Sequence, residues 1–381
     1  MLAYWDGQET QAQGSQAQPR VAYLCLQVTR EGQASYAHVH EIIRGLQSRG
    51  WQAKLYEPRY CSLSRPAGLA ERLLKFALTQ LELWFSERPD ILYIRDHFAT
   101  FPTAFWAHLR GVPLILEVNG LNEDLFIAWP LSRRFARFIN WLSRTQLRWA
   151  DAVITVTSEL ADWVRQESGN SSVFVIPNGV NTGLFRPDAP LMVPVPDTFV
   201  VFFGALARWQ GIDIMLNAIV DPEWPSDVKL VIVGDGVERP KVEAAAGKGR
   251  LVYTGTVPYV QVAGIVARSI AGLSAKSPAA GNSKTGLNPL KVFETLGCGV
   301  PVIVTDFPGQ ADLVKEGRCG LVIPPEDPKA LARAVAYLYD HPEEKVAMGK
   351  RGRELMEREH SWDRRAEQTD SVLRSMLRDS H

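Results

Sequence analysis

Phe199-Val200-Val201-Phe202-Phe203-Gly204 and Lys229-Leu230-Val231-Ile232-Val233-Gly234-Asp235-Gly236 repeat one device: a short β-branched and aromatic run that ends in a glycine turn. Each run is too short for a helix and lacks a polar alternation, as a parallel strand buried on both faces would. Working outward, the same unit recurs at 251–255, 271–275, 301–306 and 320–325, with amphipathic stretches between. Upstream it recurs at 21–28, 52–57, 91–96, 113–119, 152–157 and 173–177. Strands alternating with helical stretches predict an α/β fold, and Pro187, Pro190, Pro194 and Pro196 interrupt the alternation as a linker does. The expected organisation is a disordered lead-in at 1–20, a Rossmann-like domain at 21–190, a second at 191–360, and a C-terminal helix at 361–381 bracing the two. Doubly wound sheets bind ligands beyond the carboxyl ends of their strands, so function is sought in a central cleft between the domains.

A length of 381 residues suits two full cores. Forty-two Lys and Arg balance 42 Asp and Glu, which removes the global pull that nucleic-acid binders rely on, and no nucleic-acid partner is expected. No run of apolar residues is long enough to span a membrane. Cys25, Cys61, Cys298 and Cys319 are scattered, without C-x-x-C spacing, which fits a reducing compartment. Gln8, Gln11, Gln13, Gln16 and Gln18 sit among small residues with no apolar core of a secretory signal, so a cytoplasmic protein is expected.

Chemistry concentrates in Gly286-Leu287-Asn288-Pro289-Leu290-Lys291-Val292-Phe293-Glu294. Asn288 is expected to cap a helix whose first position is Pro289, where the missing N–H costs nothing. Such a start, after the permissive Gly286, presents free N–H groups to a phosphate or diphosphate, and Lys291 adds a charge that an isolated helix would avoid there. Glu294 can accept hydrogen bonds from sugar hydroxyls, or simply pair with Lys291 three residues back. After the 199–204 strand, Arg208 is either a bidentate phosphate ligand or a surface residue. Gly234-Asp235-Gly236 begins like a dinucleotide fingerprint, but Val237, Glu238 and Arg239 follow where the third glycine is needed, which weakens a nicotinamide reading.

Together Val175-Ile176-Pro177-Asn178-Gly179-Val180-Asn181, Phe185-Arg186-Pro187, the Gly204 loop, Gly234-Asp235-Gly236 and the 288–308 block resemble the family 4 glycosyltransferases, in order and spacing across residues 21–377. The resemblance implies the GT-B fold and a retaining transfer of sugar from a nucleotide-diphosphate donor, without a metal or other cofactor. The second domain would hold the nucleotide, and the first the acceptor. No Asp-x-Asp occurs. Glu294 matches the family's second, ribose-binding glutamate, while Gly286 stands where the first is usual. Ala205 and Gln210 stand where an arginine and a lysine usually bind diphosphate, so Arg208 and Lys291 are expected to carry that charge. Asn119 stands where many members carry a histidine. It can hydrogen-bond a sugar hydroxyl but cannot act as a base.

The expected catalytic set is therefore Asn119, His97, Lys291 and Arg208. The expected donor-binding set adds Gly32, Gln33, Gly204, Gln210, Val257, Gly286, Leu287, Asn288, Pro289, Leu290 and Glu294. Gly32 and Gln33 resemble the family's first glycine loop, and Val257 lies in the turn where base contacts would fall. His97, ending the 91–96 strand, is an acceptor-side candidate or a structural histidine. In a front-face displacement the leaving diphosphate can accept the acceptor's proton, leaving the protein to stabilise its charge. Arg133, Arg134, Arg137, Arg144 and Arg148, interleaved with Phe135, Phe138, Trp141 and Trp149, read as one basic aromatic helix over 132–149. It suits either an anionic membrane surface or domain packing. A glycan or lipid-linked acceptor, reached at the inner face of the membrane, is expected. The alternatives are a sugar-nucleotide epimerase and a non-catalytic sugar-nucleotide or glycan-binding protein.

Overall fold

The computed structural model describes residues 18–27, 29, 34–60, 68–246, 249–278 and 285–378. Residues 1–17 of the expected lead-in, and Gly32 and Gln33 of the expected donor set, lie outside them, and Arg20 already belongs to the first strand.

The first sheet holds Arg20–Leu24 (β1), Gln52–Tyr56 (β2), Ile91–Arg95 (β3), Leu114–Val118 (β4), Ala152–Thr155 (β5) and Val173–Val175 (β6), all parallel, in the order β2-β1-β3-β4-β5-β6. The second holds Phe199–Phe203 (β7), Lys229–Val233 (β8), Leu251–Gly255 (β9), Gly272–Ser274 (β10), Val302–Thr305 (β11) and Gly320–Ile323 (β12), in the order β12-β11-β10-β7-β8-β9. Helices Ala34–Gln47 (α1), Leu69–Trp84 (α2), Phe101–Arg110 (α3), Glu123–Ala128 (α4), Ala136–Trp149 (α5) and Ser158–Ser168 (α6) accompany the first sheet. Ile212–Ala218 (α7), Arg239–Ala245 (α8), Tyr259–Val266 (α9), Leu290–Gly297 (α10), Gln310–Gly317 (α11), Pro328–Asp340 (α12), Pro342–Glu359 (α13) and Trp362–Arg378 (α14) follow.

Every expected strand is present. Most end a residue or two early, because the last expected residue already belongs to the turn leaving the sheet; β1 ends at Leu24 rather than Val28. Each sheet is covered by apolar clusters on both faces, so the strands read as unbroken apolar runs. Strand order reverses between β1 and β3 in one sheet and between β7 and β10 in the other, which places the binding crevices at the loops following those strands. The β7–β10 pair shares one register contact, Val201 with Gly272, so the strands part toward that crevice.

Gly234 lies against the Gly204 turn: a Cβ on Gly234 would stand 2.0 Å from the Gly204 carbonyl oxygen. The expected fingerprint-like glycines thus serve backbone packing beside the crevice.

The last helix, α14, leaves the second domain's α13 and lies on α1 of the first. A Cβ on Gly45 would stand 2.2 Å from Ala366 Cβ, so the two backbones meet at a glycine. Trp51 Nε1 donates to Asp370 and Arg49 pairs with Asp363 across the same seam. Leu290 of α10, Ile176 and Trp362 share one core cluster with β1 and α1.

Candidate functional site

The 285–289 segment and α10 form the second domain's wall of the cleft. Thr157 Oγ1, at the N-cap of α6 in the first domain, donates to the Thr285 carbonyl at 2.5 Å. Gly286 follows at φ +81°, where a Cβ would stand 3.0 Å from both Thr157 and Glu159 Oε2. A side chain there is strained by the backbone and crowded by the opposite domain, which accounts for glycine where the family's first glutamate is usual.

The expected cap is corrected. Asn288 does not cap α10; its Oδ1 accepts from the Asn178 backbone N–H at 3.0 Å, and its carbonyl oxygen accepts from Asn178 Nδ2 at 2.5 Å. Pro289, expected as the first helical residue, is the N-cap and the helix starts at Leu290. Among the described residues no side chain caps the first N–H groups of this helix, which is buried along its whole length, and its first residue, Leu290, borders the cleft.

Lys291 is 8% exposed, and its ammonium reaches back beneath the Gly204 turn. It donates to Gln210 Oε1 at 3.0 Å and lies 3.7 Å from the centre of the Phe202 ring. Burial, reinforced by the nearby charge of Lys276, holds its pKa well below the ordinary lysine value, partly opposed by Glu294. Lys276, the second residue after β10 and equally buried, was not anticipated; a lone lysine at the reversal of strand order is the signal that could have found it. The alternative of a Lys291–Glu294 ion pair is also corrected, since Glu294 instead accepts from the Tyr259 hydroxyl. Burial raises Glu294 to about 7 against the lowering effects of that bond and of Lys291. Arg208 lies on the rim in a 3-10 turn, largely exposed and 3.9 Å from Glu238. Val257 is half-buried in the turn between β9 and α9.

On the opposite wall Asn119 follows β4 and donates to Glu117. Glu117, 1% exposed, also accepts from Tyr23, Tyr93 and Arg95 and meets His38. His97 packs between Phe76 and Phe98, and its Nδ1 accepts the Ala99 N–H as cap of a 3-10 turn, while burial lowers it to about 4. Its neighbour Asp96 is raised to about 7 by burial, and its Oδ1 has no hydrogen-bond partner among the described residues. Between the walls is a cavity of about 190 Å³, lined by Ser35, His38, Arg95 and Asn119 on one side and Lys276 and 286–290 on the other. The structure therefore gathers Asn119 and the 286–290 loop at one cavity, with Lys291, Gln210 and Gly204 behind it, and leaves His97 outside its lining.

The expected 132–149 helix is two pieces, a 3-10 stretch Pro130–Phe135 and α5. Arg144 is paired with Glu167, and Trp149 is packed against Phe101, Phe105 and His108, so these two belong to domain packing. Arg133, Arg134 and Arg137 remain exposed beside Phe135, Phe138 and Trp141.

The model of the family described as Glycosyltransferase Family 4 matches residues 37–184, and that described as Glycosyl transferases group 1 matches 197–341. The chain is 27% identical to alpha-maltose-1-phosphate synthase of Mycolicibacterium smegmatis, over 74% of this chain and 78% of that protein. It is 25% identical to the lipopolysaccharide core biosynthesis mannosyltransferase LpcC of Rhizobium leguminosarum bv. viciae, over 82% and 87%. Among solved structures, sucrose-phosphate synthase from Thermosynechococcus elongatus superposes with a TM-score of 0.78 at 19% identity, over 95% of this chain and 100% of that one.

Proposed function

The chain belongs to glycosyltransferase family 4 and is a glycosyltransferase using a nucleotide-sugar donor; on that premise we propose a metal-independent transfer that retains the anomeric configuration. The observation that carries the reading is the buried Lys276–Lys291 pair at the β7–β10 crevice, beside the uncapped start of α10. Among the described residues Lys291 has no carboxylate within ion-pair distance, so a diphosphate would supply the missing countercharge.

In this reading the bond from the sugar's anomeric carbon to the phosphate oxygen breaks, and one to the acceptor oxygen forms on the same face. The acceptor's proton passes to the leaving phosphate oxygen, whose charge the lysines and α10 stabilise. Glu294 receives the ribose hydroxyls. Asn119, with its amide nitrogen held by Glu117, offers its oxygen to a sugar hydroxyl. The donor is to be identified by thermal shift with UDP, GDP, ADP, dTDP and their sugars in the presence of a chelator, and the product's anomeric configuration by NMR. A single stabilising diphosphate and a retained product are expected. Inverted product, a chelator-sensitive reaction, or an altered nucleotide sugar formed without acceptor would replace the reading.

We propose in addition that the acceptor is a glycan on a lipid carrier, approached from an anionic membrane surface. The supporting face joins Trp129, Leu131, Phe135, Phe138 and Trp141 to the exposed leucines of α2, with Arg72 of α2 stacked 4.8 Å from the Trp129 ring. Arg133, Arg134 and Arg137 rim it without ion-pair partners among the described residues. Vesicles of phosphatidylcholine with phosphatidylglycerol should sediment the protein, and an Arg133→Glu, Arg134→Glu, Arg137→Glu variant should stay in the supernatant. Equal behaviour of the two proteins would remove the membrane from the proposal.

A further inference from the structure

His38, on the inner face of α1, has both ring nitrogens against oxygen. Nδ1 is 2.8 Å from Asn178 Oδ1, and Nε2 is 2.9 Å from Glu117 Oε2 in an ion-pair contact that is not aligned as a hydrogen bond. The orientation of Asn178 is fixed independently, because only its amide nitrogen can donate to the Asn288 carbonyl, which turns its oxygen toward His38. Glu117 is an acceptor on every side. Burial alone would raise its pKa, but the charges of His38 and Arg95 and the bonds it accepts hold it far below the ordinary glutamate value. The ring thus stands between the Asn178 side chain on one edge and the Glu117 carboxylate on the other.

The contacts continue. Asn178 also donates its backbone N–H to Asn288 Oδ1, and its carbonyl accepts from Arg365 Nε of α14 at 3.2 Å. One asparagine thus connects α1, α14 and the 286–289 loop, and His38 connects that asparagine to a carboxylate buried in the first sheet. The charged groups around the ring are Glu117 from β4, Arg95 from β3, Arg365 behind Asn178 and Lys276 across the cavity, while Trp362 of α14 meets the ring edge-on.

We propose that His38, seated against Glu117, is a positioning residue: through Asn178 it fixes Asn288 so that the start of α10 faces the donor diphosphate. The proposal rests on the donor reading above and adds a component from the opposite domain. Asn288 is thereby spent on holding the loop across the cleft, which is why α10 keeps its N–H groups uncapped.

The test uses the full chain and the nucleoside diphosphate that stabilises it in the panel above. Asn178→Asp keeps the shape and the acceptor facing His38 but loses the donor to the Asn288 carbonyl; His38→Leu removes the imidazole. Each is expected to raise the Kd of the diphosphate by about ten-fold, the effect of one lost hydrogen bond in a buried site, with kcat at saturating donor changed less. The double variant should be no weaker than the weaker single one, because both act through the same link. Lys291→Met serves as the control on the site itself. If Lys291→Met weakens binding and the folded His38 and Asn178 variants do not, the positioning role is overturned while the donor site stands. If Lys291→Met has no effect either, the donor reading has failed. Additive losses in the double variant would also overturn the proposal.

Discussion

Replacing Lys291 by methionine is expected to lower kcat/KM by roughly two to three orders of magnitude while leaving the protein folded. The methionine chain occupies much the same volume beside Phe202 and Gln210, and it removes an ammonium that burial and Lys276 already disfavour. The stability effect carries a definite sign. A lysine whose folded pKa is depressed costs stability while it is charged in the native state, so the variant's advantage is largest below the folded pKa. That advantage shrinks as pH rises toward the ordinary lysine value. Donor binding has the corresponding linkage: a diphosphate favours the charged lysine, so above the pKa of the free site binding takes up a proton and affinity falls with rising pH. Steady-state kinetics, with calorimetry in buffers of different ionisation enthalpy, measures both. An unchanged kcat/KM would show that the leaving group's charge is met elsewhere.

Glu117→Gln is expected to cost about 3–5 kcal/mol of unfolding free energy, the range for breaking a buried ion pair by removing one partner. Arg95 Nη1 approaches Glu117 Oε1 at 2.6 Å with both side chains largely enclosed, and His38 meets the other oxygen. The neutral amide would leave the buried Arg95 guanidinium without its countercharge, and its NH2 would face Tyr23, Tyr93 or Arg95 as a second donor. Because the folded pKa of Glu117 lies below the unfolded one, its contribution is present above the unfolded value. It is lost only as pH falls through the folded value, so it persists throughout the neutral range. Urea unfolding of the two proteins at neutral pH decides the matter. A loss below about 1 kcal/mol would mean that the network is compensated by water or rearrangement.

Strand positions were legible because burial on both faces leaves a mark in every residue of a strand: Phe199–Phe203 and Ile91–Arg95 announce themselves without reference to any partner. The loop chemistry was legible in part. Lys291 stood out as a cation misplaced in the first turn of a helix, and the structure places it at the crevice defined by strand order. Asn288 misled for a physical reason. Capping is the local use of an asparagine before a helix, and it was displaced by two hydrogen bonds with Asn178, 110 residues away, which take the Asn288 side-chain oxygen and the Asn288 carbonyl. The 132–149 segment shows the same limit, since its basic aromatic composition was plain while the engagement of Arg144 and Trp149 depended on α6 and α3.

His38 and Glu117 mark the other boundary. Glu117 was visible as a charge inside an apolar run, but nothing nearby in the chain says that Tyr23, 94 residues away, or His38 would meet it. By itself the sequence determined the twelve strands, the α/β class and the glycine-bounded loops, because these follow from the period of burial and from backbone sterics within a few residues. Tertiary structure alone decided which polar side chains face the cleft and which are consumed in holding it together. A buried donor or acceptor takes whichever partner the folded chain brings within hydrogen-bond reach: for Asn288 and the Thr285 carbonyl it lies in the opposite domain, and for His38 it lies 140 residues away in the same one.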